Sequence, residues 1–363
     1  MQAVKRTLES SWVTQGAEVA AFEVAFAKRH GVSDAVAVSS GTAGLHLALA
    51  ALGIGPGEEV IVPAFTWVSC ANAIVYCGAT PVFADVDAET FNIAVADVER
   101  KLTPRTRAVM AVHLFGLPAD IDYLDALLPN GVHIVEDAAC AAGAEIAGQP
   151  VGGLGDVGVF SFHPRKVITT GEGGMVTTND AALADRVRVL RNHGAGVSEE
   201  DRHAGPKPHQ LPGFDVLGFN YRMTDLQGAV GRVQLEKLDR LIDERARWAD
   251  YYRERLGDLD WLRLPEQPKD GRHGWQAFVA YVDPLTSPMS RNDLMERLQS
   301  QGIATRPGTH AIPELGLYRE RFAAKPEDFP VAKACAENTL ALPLHNRMTS
   351  EDYAYVVNAI RGL

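Results

Sequence analysis

Three observations predict an α/β fold: a large domain with a mostly parallel sheet covered by helices on both faces, and a smaller C-terminal α/β domain. Short apolar runs of strand length alternate with helical periodicity over the first 180 residues, the pattern of strands joined through covering helices. At 363 residues the chain is too long for one minimal core. Beyond residue 258 the segments become shorter while still alternating. The expected division is therefore 1–240 and 241–363.

Taken in order, Val19, Phe22 and Phe26 recur at helical spacing over residues 17–30, and Gly31 supplies a stop. A strand at 35–38 runs into Ser39-Ser40-Gly41-Thr42 and a second helix at 43–52, closed by Gly53. Buried strands are expected at 59–62, 81–86, 108–114, 133–136, 157–162 and 175–178. In such a sheet, ligands lie beyond the carboxyl ends of the strands. Residues 192–218, rich in Gly, Pro and His, read as one long loop. Its His193, His203 and His209 have no acid or thiol at ligand spacing, so no metal site is expected there. One long helix is expected at 224–256, with Leu226, Val230, Val233, Leu235, Leu238 and Leu241 as a core or subunit-packing stripe. A last helix is expected at 351–360.

The composition narrows the partners. A net charge of −11 argues against nucleic acid and against an anionic membrane surface, since both need an excess of Lys and Arg. Any anionic ligand must be held locally. The four cysteines, 70, 77, 140 and 335, form neither a C-x-x-C pair nor a metal spacing, which fits a reducing cytoplasm. Cys70 and Cys77 read as core packing. The first ten residues carry an acid and no apolar run, unlike a signal peptide, and the apolar stretch 35–55 is too interrupted to span a bilayer.

Lys166 has the most unusual setting. It follows a strand and a Pro-bearing turn, and Gly171, Gly173 and Gly174 then let the backbone approach a flat ligand closely. An amine that attacks a carbonyl needs burial and positive neighbours to lower its pKa, and this lysine is expected to have them. The turn Ser39–Gly44 presents helix-start N–H groups, a seat for a phosphate aided by hydroxyls such as Thr42 and Ser161; an N-cap by Ser40 or Thr42 is the plainer reading. Glu136 and Asp137 end a buried strand, where a carboxylate needs a cation. Asp137 is expected to face inward and Glu136 to be solvated or helix-facing. Asp137 could meet an arginine or a protonated ring nitrogen. Trp67, after Pro63-Ala-Phe-Thr, could stack on a flat ring or simply fill the core.

These elements occur in a telling order: Ser-Gly-Thr-Ala, Pro63-Ala-Phe-Thr-Trp67, Gly78-Ala-Thr-Pro-Val-Phe-Ala-Asp85, His113-Leu-Phe-Gly116, Glu136-Asp-Ala-Ala, Phe160-Ser-Phe-His-Pro-Arg-Lys166, Gly171-Glu-Gly-Gly174 and Gly218-Phe-Asn-Tyr-Arg-Met223. Over nearly its whole length the chain resembles the DegT/DnrJ/StrS sugar-nucleotide aminotransferases, pyridoxal-phosphate enzymes of aspartate-aminotransferase-like fold. The resemblance implies that Lys166 holds pyridoxal 5'-phosphate covalently and moves the proton, with pyridoxamine 5'-phosphate as the intermediate form. Asp137 would pair with the ring nitrogen and Trp67 would stack on the ring. Gly41, Thr42, Ala43 and Ser161 would hold the phosphate, and Asn220 would reach it from a second subunit of a homodimer. His163 would act near the lysine or face substrate, with His310, Tyr221 and Arg222 as substrate contacts. Lys207, Arg319 and Arg321 are further basic candidates whose default is a solvated surface.

The same resemblance implies transfer from L-glutamate to a nucleotide-linked keto-sugar, a 4-keto-6-deoxyhexose above others, by ping-pong kinetics. A keto-inositol acceptor is an alternative. Lys166 argues against the related sugar dehydratases, which carry histidine there. A regulator without turnover would call for a basic DNA-binding module, and none is visible. Two departures stand out. Cys140 replaces a glutamine that meets the cofactor's phenolic oxygen, a loss of about 0.5–1.5 kcal/mol of hydrogen bonding unless water supplies it. The chain also begins within what resembles the first helix, without a preceding Pro-containing arm.

Overall fold

The computed structural model describes residues 1–196, 213–268 and 270–363. His203, His209 and Lys207 lie outside the described residues. All seven expected strands form and share one sheet: β1 (Asp34–Val38), β2 (Glu59–Pro63), β3 (Thr80–Ala84), β4 (Thr106–Val112), β5 (His133–Asp137), β6 (Val157–Ser161) and β7 (Gly174–Thr178), in the order β1-β7-β6-β5-β4-β2-β3. The steps β6-β5-β4-β2-β3 are parallel, and β7 runs against both β1 and β6. That reversal has a simple cause. Residues 162–173 between β6 and β7 form turns rather than a crossover helix, so the chain folds straight back.

Strand alternation builds a core on each face. Val36, Val38, Val60, Val62, Val159 and Val176 pack to one side with Leu47 and Leu49 of the helix Gly41–Ala51. Their neighbours Ala35, Ala37, Phe160 and Met175 pack to the other with Phe22 and Phe26 of the helix Ala17–His30. Gly31, at φ 65°, ends that helix in the left-handed conformation glycine adopts without strain. Two helices, Gln2–Glu9 and Ala17–His30, precede β1. A second, antiparallel sheet joins Leu262–Arg263, Phe278–Val282, Thr339–Leu342 and Arg306–Pro307 over a core of Tyr252, Trp275, Phe278 and Tyr353. Among the described residues no helix is long and apolar enough to cross a membrane.

The single helix expected at 224–256 is two, Asp225–Leu235 and Leu238–Leu256. The first packs small residues Gly228, Ala229 and Gly231 against the helix Ala17–His30; a Cβ on Gly228 would fall 2.8 Å from the Val19 nitrogen. The second starts in that same core through Leu238 and Ile242, then joins the other sheet's core through Ala249, Tyr252 and Leu256. Two packing partners require two axes. The proposed stripe is accordingly not the buried face: Leu238 is buried, but Leu226, Val230, Leu235 and Leu241 are half-buried and Val233 is exposed.

Candidate active site

Parallel strands bring their carboxyl ends to one edge of the sheet, and every polar candidate from the first half of the chain lies at or just beyond such an end. β5 ends in Glu136 and Asp137, whose side chains point to opposite faces because adjacent strand residues alternate. Glu136 is fully buried, not solvated. It accepts hydrogen bonds from His113 Nε2 at 2.9 Å and from the N–H groups of Gly152, Leu154 and Gly155, each at 2.8 Å. Burial works to raise its pKa, but the His113 contact and these N–H groups prevail and hold the carboxyl below its usual range. His113 Nδ1 accepts from Ala119 N–H at 2.9 Å, which places the ring proton on Nε2. Glu136 is a structural anchor.

Asp137 takes the other face. It is 5% exposed, and each oxygen has one donor: Ala139 N–H to Oδ1 at 3.0 Å and the Cys70 thiol to Oδ2 at 3.0 Å. Among the described residues no Lys, Arg or His lies within ion-pair distance of it. The arginine pairing left open by the sequence is thus not made. A buried carboxylate with spare lone pairs and no cation suits a protonated ring nitrogen.

Lys166 lies in the turn after β6, its N–H bonded to the His163 carbonyl at 2.9 Å, and its Nζ reaches Cys140 Sγ at 3.0 Å. Cys140 stands three residues beyond Asp137, so the lysine and the aspartate face one space. Among the described residues no positive neighbour acts on this lysine, contrary to the expectation from sequence. Burial pushes its pKa down, yet Cys140, Asp137 and Cys70 outweigh burial and leave it raised. A cation set against Asp137 would remove its share of that pull and leave the Cys140 contact as the main one.

Ser40 caps the helix Gly41–Ala51, its hydroxyl accepting from Ala43 N–H at 3.1 Å. That occupies one of the three N–H groups expected to face a phosphate. The N–H groups of Gly41 and Thr42 have no partner among the described residues. Gly41 is obligatory here, since a Cβ would meet Ser161 Cβ at 2.9 Å, and the close approach brings the Ser161 hydroxyl to the helix start. Trp67 is 56% exposed and not a core residue; its indole meets the His310 ring edge-on at 5.5 Å. The two-residue strands Phe65–Thr66 and His310–Ala311 pair antiparallel and fix that contact.

Of the remaining candidates, Tyr221 and Arg222 flank the end of β1, the Tyr221 carbonyl accepting from Ser39 N–H at 2.8 Å and Arg222 bridging to Val38. His163 turns to Glu172, 4.0 Å away, with Nδ1 accepting from Arg165 N–H at 3.2 Å. The Tyr221 hydroxyl meets His46 Nδ1 at 3.2 Å, and Arg222 donates to Asn192 Oδ1 at 2.8 Å. Asn220 is exposed and bridges to Asn192 through the backbone. Arg319 and Arg321 lie exposed on the helix Gly316–Phe322. Cys70, read from sequence as core packing, is buried in the core as expected and also donates its thiol proton to Asp137. The signal was its position one helical turn after Trp67, whose carbonyl accepts its N–H at 3.2 Å.

A lysine amine, an unpaired buried carboxylate, a bare helix start and an exposed indole fit pyridoxal phosphate residue by residue. Such groups suit a pyridoxal-phosphate enzyme, and the chain's relatives make it a pyridoxal-phosphate-dependent sugar aminotransferase. The chain belongs to the DegT/DnrJ/EryC1/StrS aminotransferase family, whose model matches residues 1–361. Over 361 residues it is 39% identical to GDP-perosamine synthase of Caulobacter vibrioides, covering 98% of this chain and 93% of that one. S. venezuelae DesV, solved in complex with a ketimine intermediate, superposes with a TM-score of 0.90 at 35% identity, covering 99% of this chain and 93% of the other. The pyridoxamine-phosphate form of the sugar aminotransferase Spr1654 from Streptococcus pneumoniae gives 0.91 at 27% identity, with the same coverage of 99% and 93%.

Proposed function

We propose that the protein moves an amino group from L-glutamate to a nucleotide-linked 4-keto-6-deoxyhexose. The contacts of Lys166 with Cys140 and of Asp137 with Cys70, which bring the amine and the buried acid together, support amino transfer through the cofactor. The likeness to a synthase named for a GDP-linked amino sugar supports a nucleotide-sugar acceptor. Bound in the pocket, the cofactor carries the amino group and its charged ring accepts the electrons left by a departing proton.

The chain's own residues supply the rest. Asp137 would hold a protonated ring nitrogen, which would take away its share of the pull on Lys166. The Lys166 amine would be the group that accepts the proton from the donor's α-carbon and gives it up again. Gly41, Thr42 and Ser161 would hold the phosphate and so orient the bound group toward Nζ. Trp67 would supply a flat surface for the ring and, with His310, would contact the sugar. Asn220, exposed beside that helix start, suits a contact with a second subunit, and the working unit is taken as a cytoplasmic homodimer.

The test is to convert the enzyme to its pyridoxamine-phosphate form and add keto-sugar nucleotides and keto-inositols singly. Return of the visible aldehyde-form band with a GDP- or other nucleotide-linked keto-sugar is expected. A response to keto-inositols alone would replace the sugar acceptor by a cyclitol.

A further inference from the structure

We propose that Thr66 and Cys70 form a positioning relay that fixes the Asp137 carboxylate for the cofactor's ring nitrogen. The inference rests on the cofactor assignment and not on the identity of the sugar.

The relay is short and closed to water. Cys70 is fully buried in the helix Ser69–Tyr76, Thr66 is 1% exposed, and their side chains meet at 3.4 Å. Cys70 Sγ lies 3.0 Å from Asp137 Oδ2. A thiol has one proton to give, and the carboxylate can only accept, so Cys70 donates to Asp137. The Thr66 hydroxyl must then donate to sulfur, which sets the direction Thr66 to Cys70 to Asp137. Burial, followed by the Asp137 charge, raises the Cys70 thiol well above its usual range and keeps that proton in place. Cys70 cannot leave the carboxylate as a thiolate.

With Ala139 N–H on the other oxygen, Asp137 is held at both ends and cannot rotate about its last bond. Its free lone pairs therefore keep one direction. The relay also reaches the substrate side. Thr66 stands opposite His310 in the ladder that carries the Trp67–His310 contact, so the strand facing the sugar and the carboxylate facing the ring share one support.

Three substitutions separate a hydrogen bond from mere filling. Cys70→Val keeps the site filled, with one extra methyl, and loses the donor, Cys70→Ala loses both, and Cys70→Ser restores a donor. Each is measured for cofactor affinity by equilibrium dialysis and for the pH midpoint of the bound cofactor's visible band, alongside kcat. The valine and alanine variants should both bind cofactor about tenfold more weakly and shift the midpoint, a change of one ordinary charged hydrogen bond. The serine variant should stay near wild type. Thr66→Val, one step removed, should move the same midpoint by less and serves if a Cys70 variant fails to fold. A valine variant with wild-type affinity and midpoint, or an alanine defect repaired equally by valine and serine, would show that Cys70 only fills space. Wild type and variants that show these shifts while the wild type turns over no sugar nucleotide would leave the relay standing and overturn only the proposed acceptor.

Discussion

Replacing Asp137 by Asn tests the centre of the site because the side chain keeps its shape and loses its charge, while the new amide NH2 faces Cys70, whose thiol can turn to accept from it. Ala139 N–H can still donate to the remaining oxygen, and Asp137 is not an ion-pair partner within the described protein, so folding should survive. The loss falls on the ring nitrogen. An opposite charge at ~4 Å in an effective dielectric of ~20 is worth about 4 kcal/mol, and Asp137, at 5% exposure, is too buried for solvent to screen it further. About 4 kcal/mol lost in the transition state corresponds to roughly a thousandfold in rate. The assay is single-turnover conversion of cofactor-saturated Asp137→Asn by L-glutamate, followed at the visible band. A fully loaded variant that keeps more than about a tenth of wild-type rate would refute the pairing, because an effect below ~1.4 kcal/mol is no ion pair in a dry site.

Other outcomes follow from the same geometry. Lys166→Ala should abolish borohydride fixation of the cofactor, checked by peptide mass, and a label found elsewhere would displace Lys166 as the anchor. Gly41→Ala, whose Cβ would sit 2.9 Å from Ser161 Cβ, should cost about tenfold in cofactor affinity by pushing the hydroxyl off the helix start, read by dialysis. Glu136→Gln should destabilise the protein by about 3 kcal/mol in urea, since an amide group then faces donors that had a carboxylate. Because Glu136 is depressed in the fold, its share of stability is present above the unfolded value of about 4.3 and disappears as pH falls through the folded value. Wild type should therefore lose stability more steeply than Glu136→Gln on acidification below about pH 4.3. His310→Ala should raise KM for the sugar while leaving cofactor affinity unchanged.

The strands were legible because each is a short apolar run bounded by Gly, Pro or polar residues, and all seven fall within two residues of their expected limits. The order of motifs likewise pointed to Lys166, Asp137, Trp67 and the turn at Gly41, since each follows a strand end. Contacts between distant positions were not legible. Nothing local tells a lysine that its nearest partner is a sulfur 26 residues earlier, and this reverses the expected direction of its pKa. The helix break at Glu236–Lys237 carries no Gly or Pro; it arises because the two halves pack on different cores.

Glu136 and Asp137 show where the boundary between legible and hidden lies. Two adjacent acids at a strand end are chemically equivalent in the sequence, and alternation requires only that they diverge. Which one meets the cofactor depends on what covers each face. On one side the chain from Gly152 to Gly155 and the His113 imidazole supply four donors and consume the charge of Glu136. On the other, Cys70 and Ala139 supply two and leave Asp137 with acceptor capacity. The less satisfied acid is the one suited to the cofactor role proposed for it. Four donors can stabilise an anion without any cation, whereas two leave it dependent on one, so the hydrogen-bond count favours the same acid that the motif order singled out.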